Sequence, residues 1–167
     1  IGHGDVKRQL LIMRSLTEAM RALILVSAEI MEEAEKEKSK MNLEAFLIPI
    51  IKGWCTELAQ EVTSLGVQIH GGMGYIEETG AAQIMRDARI LPIYEGTNAI
   101  QANDLMFRKT LKDSGETAQQ ILTIIKDEVQ SDGEILQAVN KCEEVLGFIL
   151  NNRDDKEALS CLSLIHI

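Results

Sequence analysis

Two short stretches hold the residue types and spacings that could do chemistry. The first is Gln68-Ile69-His70-Gly71-Gly72-Met73-Gly74-Tyr75. Glycines let a ligand approach the backbone closely, and the Gln68 amide could then bond an adenine or a pyrophosphate. The plainer reading is a helix stop followed by a turn, and a glycine cluster alone favours it. The second stretch is Tyr94-Glu95-Gly96-Thr97. A glutamate at a helix start is ordinarily a first-turn carboxylate favoured by the helix dipole. The flanking Leu91-Pro92-Ile93-Tyr94 is apolar, however, and points to a carboxylate in a dry pocket. Desolvation there would raise its pKa toward the range of a general base. Gly96 beside it leaves room for a substrate.

Other chemistries find little support. His3, His70 and His166 are too scattered to bind a metal together. Cys55, Cys142 and Cys161 form no Cys-x-x-Cys pair, which argues against a zinc site or a disulfide framework and for a reducing compartment. Cys55 and Cys142 read as core thiols. No nucleophile elbow and no Walker loop is present. With Lys+Arg 17 against Asp+Glu 26, the net charge is −9, a poor match for a nucleic-acid backbone. No apolar run reaches the roughly 18–20 residues that span a membrane, and no signal peptide is visible at the N-terminus.

The elements that must position these stretches are helices. The chain has 167 residues, 46% of them hydrophobic and 26% charged, with 2 prolines and 4% aromatics. That composition gives enough apolar residues for a core of one domain and favours helices over a sandwich or barrel. Val6, Leu10, Met13, Thr17, Met20, Ile24 and Met31 share one face of a helix over 5–38. Leu47, Ile51, Trp54, Leu58, Val62 and Leu65 do so over 43–68, with Pro49 predicting a start near Ile48 or a bend there. A shorter helix is predicted from Gly80 or Ala81 to Ile90, ended by Pro92. Another runs from Thr97 or Asn98 to about Thr110, with Thr97 as N-cap. Asp113-Ser114-Gly115-Glu116 reads as a capping box. The faces Ala118, Ile121, Ile125, Val129 and Ile135, Val139, Cys142, Leu146, Ile149 then form a helical hairpin broken at Ser131-Asp132-Gly133. The fold class is therefore all-α, a helical bundle with an appended helical hairpin.

The domain reading is 1–111 for the bundle, 113–160 for the helical extension and 161–167 for a non-native tail that looks like translated read-through. The chain opens on Ile1 and enters a helical pattern almost at once, as the C-terminal part of something longer would.

The stretch from Val67 to Lys109 resembles the C-terminal domain of the acyl-CoA dehydrogenases. It carries Gln-x-x-Gly-Gly-x-Gly, then Met85-Arg86-Asp87-Ala88, then Tyr94-Glu95-Gly96-Thr97, with Gln68 27 residues before Glu95. The resemblance covers about residues 3–111. The continuation resembles the helical module of a longer branch that includes the bacterial 3-methylmercaptopropionyl-CoA dehydrogenases. Met73 stands where many relatives have Asn.

The resemblance implies an FAD-dependent oxidation of an acyl-CoA thioester to the trans-2-enoyl-CoA. Glu95 would remove the α-proton while the β-hydrogen leaves as hydride to FAD. The thioester carbonyl would be bonded by a flavin hydroxyl and the Glu95 N–H, which is oxyanion-hole logic. Gly96 would line the acyl pocket. Thr97, Asn98 and Ala99 would contact the flavin, and Gln68, Ile69, His70, Gly71 and Gly72 its adenine and pyrophosphate end, across a homodimer or homotetramer interface. No metal is implied. The resemblance leaves open an electron-transfer flavoprotein as partner or, in an oxidase, oxygen. It implies the cytoplasm of a bacterium or a mitochondrial matrix. A noncatalytic helical scaffold is the alternative, and it would have no need of Glu95. The family's other two domains are not in this chain, so the fragment alone is expected to be inactive.

Overall fold

An uninterrupted run of helix formers, free of Gly and Pro after Gly4, produces α1, Gly4–Lys36. Its 33 residues span about 50 Å at 1.5 Å per residue. A 3₁₀ turn at Lys38–Lys40 reverses the chain into α2, Met41–Ile50. The structure, a computed structural model, describes residues 2–129, 132–157 and 159. Among these there is no strand, and the fold is all-α. The proposed tail at 161–167, with Cys161 and His166, lies outside the described residues.

The second long helix begins at Met41, eight residues before Pro49. Pro49 lacks an N–H and crowds the preceding turn. The chain answers with a π-helical turn at Ile51–Cys55 and resumes as α3, Thr56–Ile69. α1 packs antiparallel along α2 and α3, and at Gly66 an added Cβ would lie 3.8 Å from Met13 Cε. Only Gln9, Ser27 and Ala34 of α1 are buried. Leu11 and Leu25 remain 65% and 67% exposed, so α1 is apolar on more than one face and much of that surface is uncovered in this chain.

Gly72–Tyr75 forms a single turn, α4, and Ala81–Ala88 forms α5, laid against α3 and tied to it by Gln60 Nε2 donating to Ala88 O at 2.5 Å. α5 stops at Ala88, before Pro92 and short of Ile90. The chain then turns through Pro92–Thr97 into α6, Asn98–Asn103, continued by a second π-helical stretch, Asp104–Thr110. Thr97 does occupy the N-cap position, in extended conformation, but its hydroxyl makes no capping bond. The Asn98 N–H goes instead to Pro92 O at 3.1 Å.

Helices α7, Glu116–Glu128, and α8, Gly133–Asn151, form the hairpin. The residue next to α7 is Gly115, not Asp113. The Asp113 carboxylate still caps it, accepting from Gly115 N, Thr117 N and the Thr117 hydroxyl at 3.0, 3.0 and 2.5 Å. Asp132 caps α8 through Glu134 N and Ile135 N. The hairpin docks on the bundle. Leu146 and Ala118 share a core with Phe46 of α2, and Ile149 shares one with Met106 and Leu159. Val139 is buried too, whereas Ile135 is 42% exposed. Cys142, expected in that seam as a core thiol, is exposed: the docked face is narrower than the apolar stripe. Cys55 is half-buried, and burial pushes its thiol pKa up.

Candidate functional site

Glu95 sits in a left-handed backbone conformation, φ 55, followed by Gly96 at φ 90. For a side chain with a Cβ this conformation costs roughly 1–2 kcal/mol, and such strain persists only where the surroundings hold it. The loop is closed by Tyr94 N donating to Ile90 O and Asn98 N to Pro92 O, each at 3.1 Å, and more weakly by Gln101 Nε2 to Glu95 O at 3.3 Å. Glu95 N–H and Gly96 N–H take no partner among the described residues, and neither does the Glu95 carboxylate make a hydrogen bond or ion pair. The dry pocket expected from the apolar flank is absent among them. Glu95 is exposed, and Ile93 and Tyr94 are 45% and 46% exposed, because no other element among the described residues covers the loop.

Beneath the loop lies a polar cluster. Asn98 is buried, and its Oδ1 accepts from Lys52 Nζ at 2.9 Å. Its Nδ2 faces Glu57 Oε1 at 2.7 Å, Thr56 Oγ1 at 3.0 Å and Gly53 O at 3.2 Å. The cation on one side and the carboxylate and carbonyl on the other fix which way the amide points. Burial lowers the pKa of the Lys52 ammonium, and the carboxylates of Glu57 and Glu95 act against that. The Asn98 side chain is thus committed to the protein. Lys52, Thr56 and Glu57 escape a reading based on apolar periodicity. Lys52 and Thr56, four apart, do share a face, but on a regular helix it lies about 100° round from the stripe of Ile51, Trp54 and Leu58, so the pattern gave no signal for them.

The glycine loop forms the other end of α3. Its helix stops at Ile69, with Gly71 N donating to Gln68 O at 3.0 Å and His70 Nδ1 to Gly66 O at 2.7 Å. Gly71 has φ 60 and ψ −146, a conformation essentially closed to other residues. At Gly74 an added Cβ would lie 2.2 Å from Val67 O, so this glycine permits the close return of the chain. At Gly71 and Gly72 the space a Cβ would take is open, and the Gly72 N–H has no partner among the described residues. Gln68, His70 and both glycines are exposed, and Ile69 is half-buried.

The two stretches do not meet in one pocket. Gly96, Thr97, Asn98 and Ala99 gather with Glu95 at the N-terminal end of α3, and Gln68–Gly72 lie at its C-terminal end. The 12 residues from Thr56 to Gln68 put about 18 Å of helix between them. Among the described residues no group of three His, Cys, Asp or Glu could hold a metal ion, and no helix is long and apolar enough to cross a membrane.

Fold and site define a helical domain that presents a carboxylate at one end of a helix and a glycine loop at the other. The family model of the acyl-CoA dehydrogenase C-terminal domain matches residues 1–109, and the chain belongs to that family. Over 140 residues it is 55% identical to 3-methylmercaptopropionyl-CoA dehydrogenase of Ruegeria pomeroyi, covering 81% of this chain and 23% of that protein. It is 36% identical over 133 residues to a butyryl-CoA dehydrogenase of Syntrophomonas wolfei, covering 76% of this chain and 22% of that one. The chain thus spans less than a quarter of the length of these curated relatives. The solved apo form of Bd2924 superposes with a TM-score of 0.58 at 23% identity, over 90% of this chain and 33% of that chain, and shares the fold. The family is generally FAD-dependent.

Proposed function

We propose that this chain is the base-bearing C-terminal part of an FAD-dependent acyl-CoA dehydrogenase, with 1–111 as its C-terminal domain and 113–160 as a helical extension. The carrying observation is the Glu95 turn. It presents an unpartnered carboxylate beside an unpartnered backbone N–H, in a backbone conformation that costs energy to keep. Glu95 takes the α-proton of the acyl thioester onto a carboxylate oxygen, and its N–H donates to the thioester carbonyl, which acidifies that proton. Gly96, with no side chain, keeps the approach to the α-carbon open.

The residues present fit one side of FAD. The bare backbone at Gly71 and Gly72 and the free Gly72 N–H suit close approach of a phosphate. Gln68, Ile69 and His70 would hold the adenine end, and Thr97, Asn98 and Ala99 the flavin end, Asn98 through its backbone. Bound FAD would supply the acceptor for the β-hydride. Because about 18 Å of helix separates the two contact stretches, they serve different portions of a long cofactor or two cofactors across an oligomer interface. That interface would be a homodimer's or homotetramer's.

The test is Glu95→Gln in the full-length flavoprotein. It is nearly isosteric and should leave folding and FAD content intact. Anaerobic bleaching of the flavin by acyl-CoA, followed by stopped flow, should slow by about 10²–10⁴-fold, with substrate affinity changed far less. Bleaching at the wild-type rate would remove Glu95 as the base and return the scaffold reading.

A further inference from the structure

Lys52 is the unexplained residue of the molecule. A lysine that serves only solubility keeps its ammonium in water, whereas this one is half-buried against the bundle and pays desolvation. It lies in the π-helical turn that follows Pro49, and such turns are frequent at functional sites. Its hydrogen bond at 2.9 Å goes to the amide of Asn98, the first residue of α6 and three residues past Glu95.

Asn98 ties the loop at both levels. Its backbone N–H closes the loop on Pro92 O, and its side chain anchors the loop to the turn and α3 through Lys52, Gly53, Thr56 and Glu57. The Glu95 carboxylate, free of hydrogen bonds of its own, has its direction set by the backbone that carries it. That backbone is left-handed and would relax if released. Lys52 also feels the Glu95 charge directly, together with that of Glu57.

We propose that Lys52 is a positioning residue for proton abstraction: by holding the Asn98 amide it fixes the Pro92–Asn98 loop and so aims the Glu95 carboxylate. This rests on the reading of Glu95 as the base. Removing the ammonium leaves the buried Asn98 oxygen with the Thr56 hydroxyl as its remaining neighbour, at 3.2 Å, and loosens the start of α6. A reacting group misplaced by about 1 Å can lose about 10²-fold in rate.

The experiment compares Lys52→Met, Asn98→Ala and the double variant in the full-length holoenzyme. Each single variant should slow anaerobic flavin reduction at saturating acyl-CoA by about 10–10²-fold, with flavin content and KM near wild type. The double variant should be no slower than the slower single, since both break one unit. Wild-type bleaching by Lys52→Met, or losses in the double variant that simply multiply, would overturn the proposal. So would a fall in rate that tracks loss of flavin or a rise in KM, because that marks a merely structural role. If Lys52→Met does not fold, Asn98→Ala decides by the same split between kcat and KM. Glu95→Gln is the separate arm: if it bleaches at the wild-type rate, the base assignment fails whatever Lys52 does. If Glu95→Gln is slow and Lys52→Met is not, only the positioning role fails.

Discussion

The Pro92–Asn98 loop and the α7–α8 hairpin both close against the α2–α3 helix, by opposite means. The loop is held by polar atoms: one buried asparagine and an ammonium, a hydroxyl, a carbonyl and a carboxylate around it. It leaves its acidic residue in a strained conformation at the surface. The hairpin is held by apolar packing of Ala118, Leu146 and Ile149 on Phe46 and Met106, with ordinary caps at its helix starts. Hydrogen bonds are directional and can set the aim of a group, whereas hydrophobic burial is not and sets only adhesion. The comparison makes chemistry the expectation for the loop and stability the expectation for the hairpin.

The sharpest way to break that division is Leu146→Ala in the full-length protein. Leu146 is 7% exposed and central to the hairpin core. Its truncation should cost about 2–5 kcal/mol of stability, seen as a lower midpoint in denaturant, while flavin reduction per bound flavin stays at the wild-type rate. A slowed chemical step with an unchanged midpoint would put the hairpin in the catalytic machinery. A smaller effect should follow from Asp113→Ala, which removes the acceptor of Gly115 N, Thr117 N and the Thr117 hydroxyl. Loss of such a cap costs about 0.5–2 kcal/mol, read from the same denaturation curves.

The smallest expected effect is of pH. Lys126 and Gln119 bond the Glu143 carboxylate at 2.5 and 3.2 Å and hold its pKa below the usual carboxylate range. With the folded pKa lowered, the pair's contribution is present above the ordinary glutamate pKa of about 4.3 and is lost as pH falls through the lowered value. A Glu143→Gln variant should thus show less loss of midpoint than wild type on acidification below about pH 4.3, and the same midpoint offset at all higher pH. An offset independent of pH throughout would show that the ion pair adds nothing.

Much of the fold was legible in the sequence because helix periodicity is a local property. The stripe of Leu47 through Leu65 predicted one long helix, and the break read at Ser131-Asp132-Gly133 falls between α7 and α8. Of the two readings open at Pro49, a start near Ile48 or a bend there, the helix takes neither in simple form: it begins at Met41, two residues before the expected 43, and passes Pro49 into a π-helical turn. A proline can be absorbed by a π-helical turn when neighbouring helices hold both flanks. Cys142 was misjudged because a stripe's width does not tell how much of it the partner covers.

By itself the sequence determined the all-α class, the order of the helices and the two stretches whose residues could meet a ligand. Spacing within a helix and the glycine requirement at Gly71 act over a few residues, so they are written in the chain directly. Only the tertiary structure decided that Glu95 stands exposed rather than in a dry pocket, and that the glycine loop lies the length of α3 away from it. Only the tertiary structure also brought Lys52, Thr56 and Glu57 to Asn98, more than 40 residues on. The physical reason is that burial and polar contact between distant segments depend on which faces of the helices pack, and no local pattern specifies that pairing.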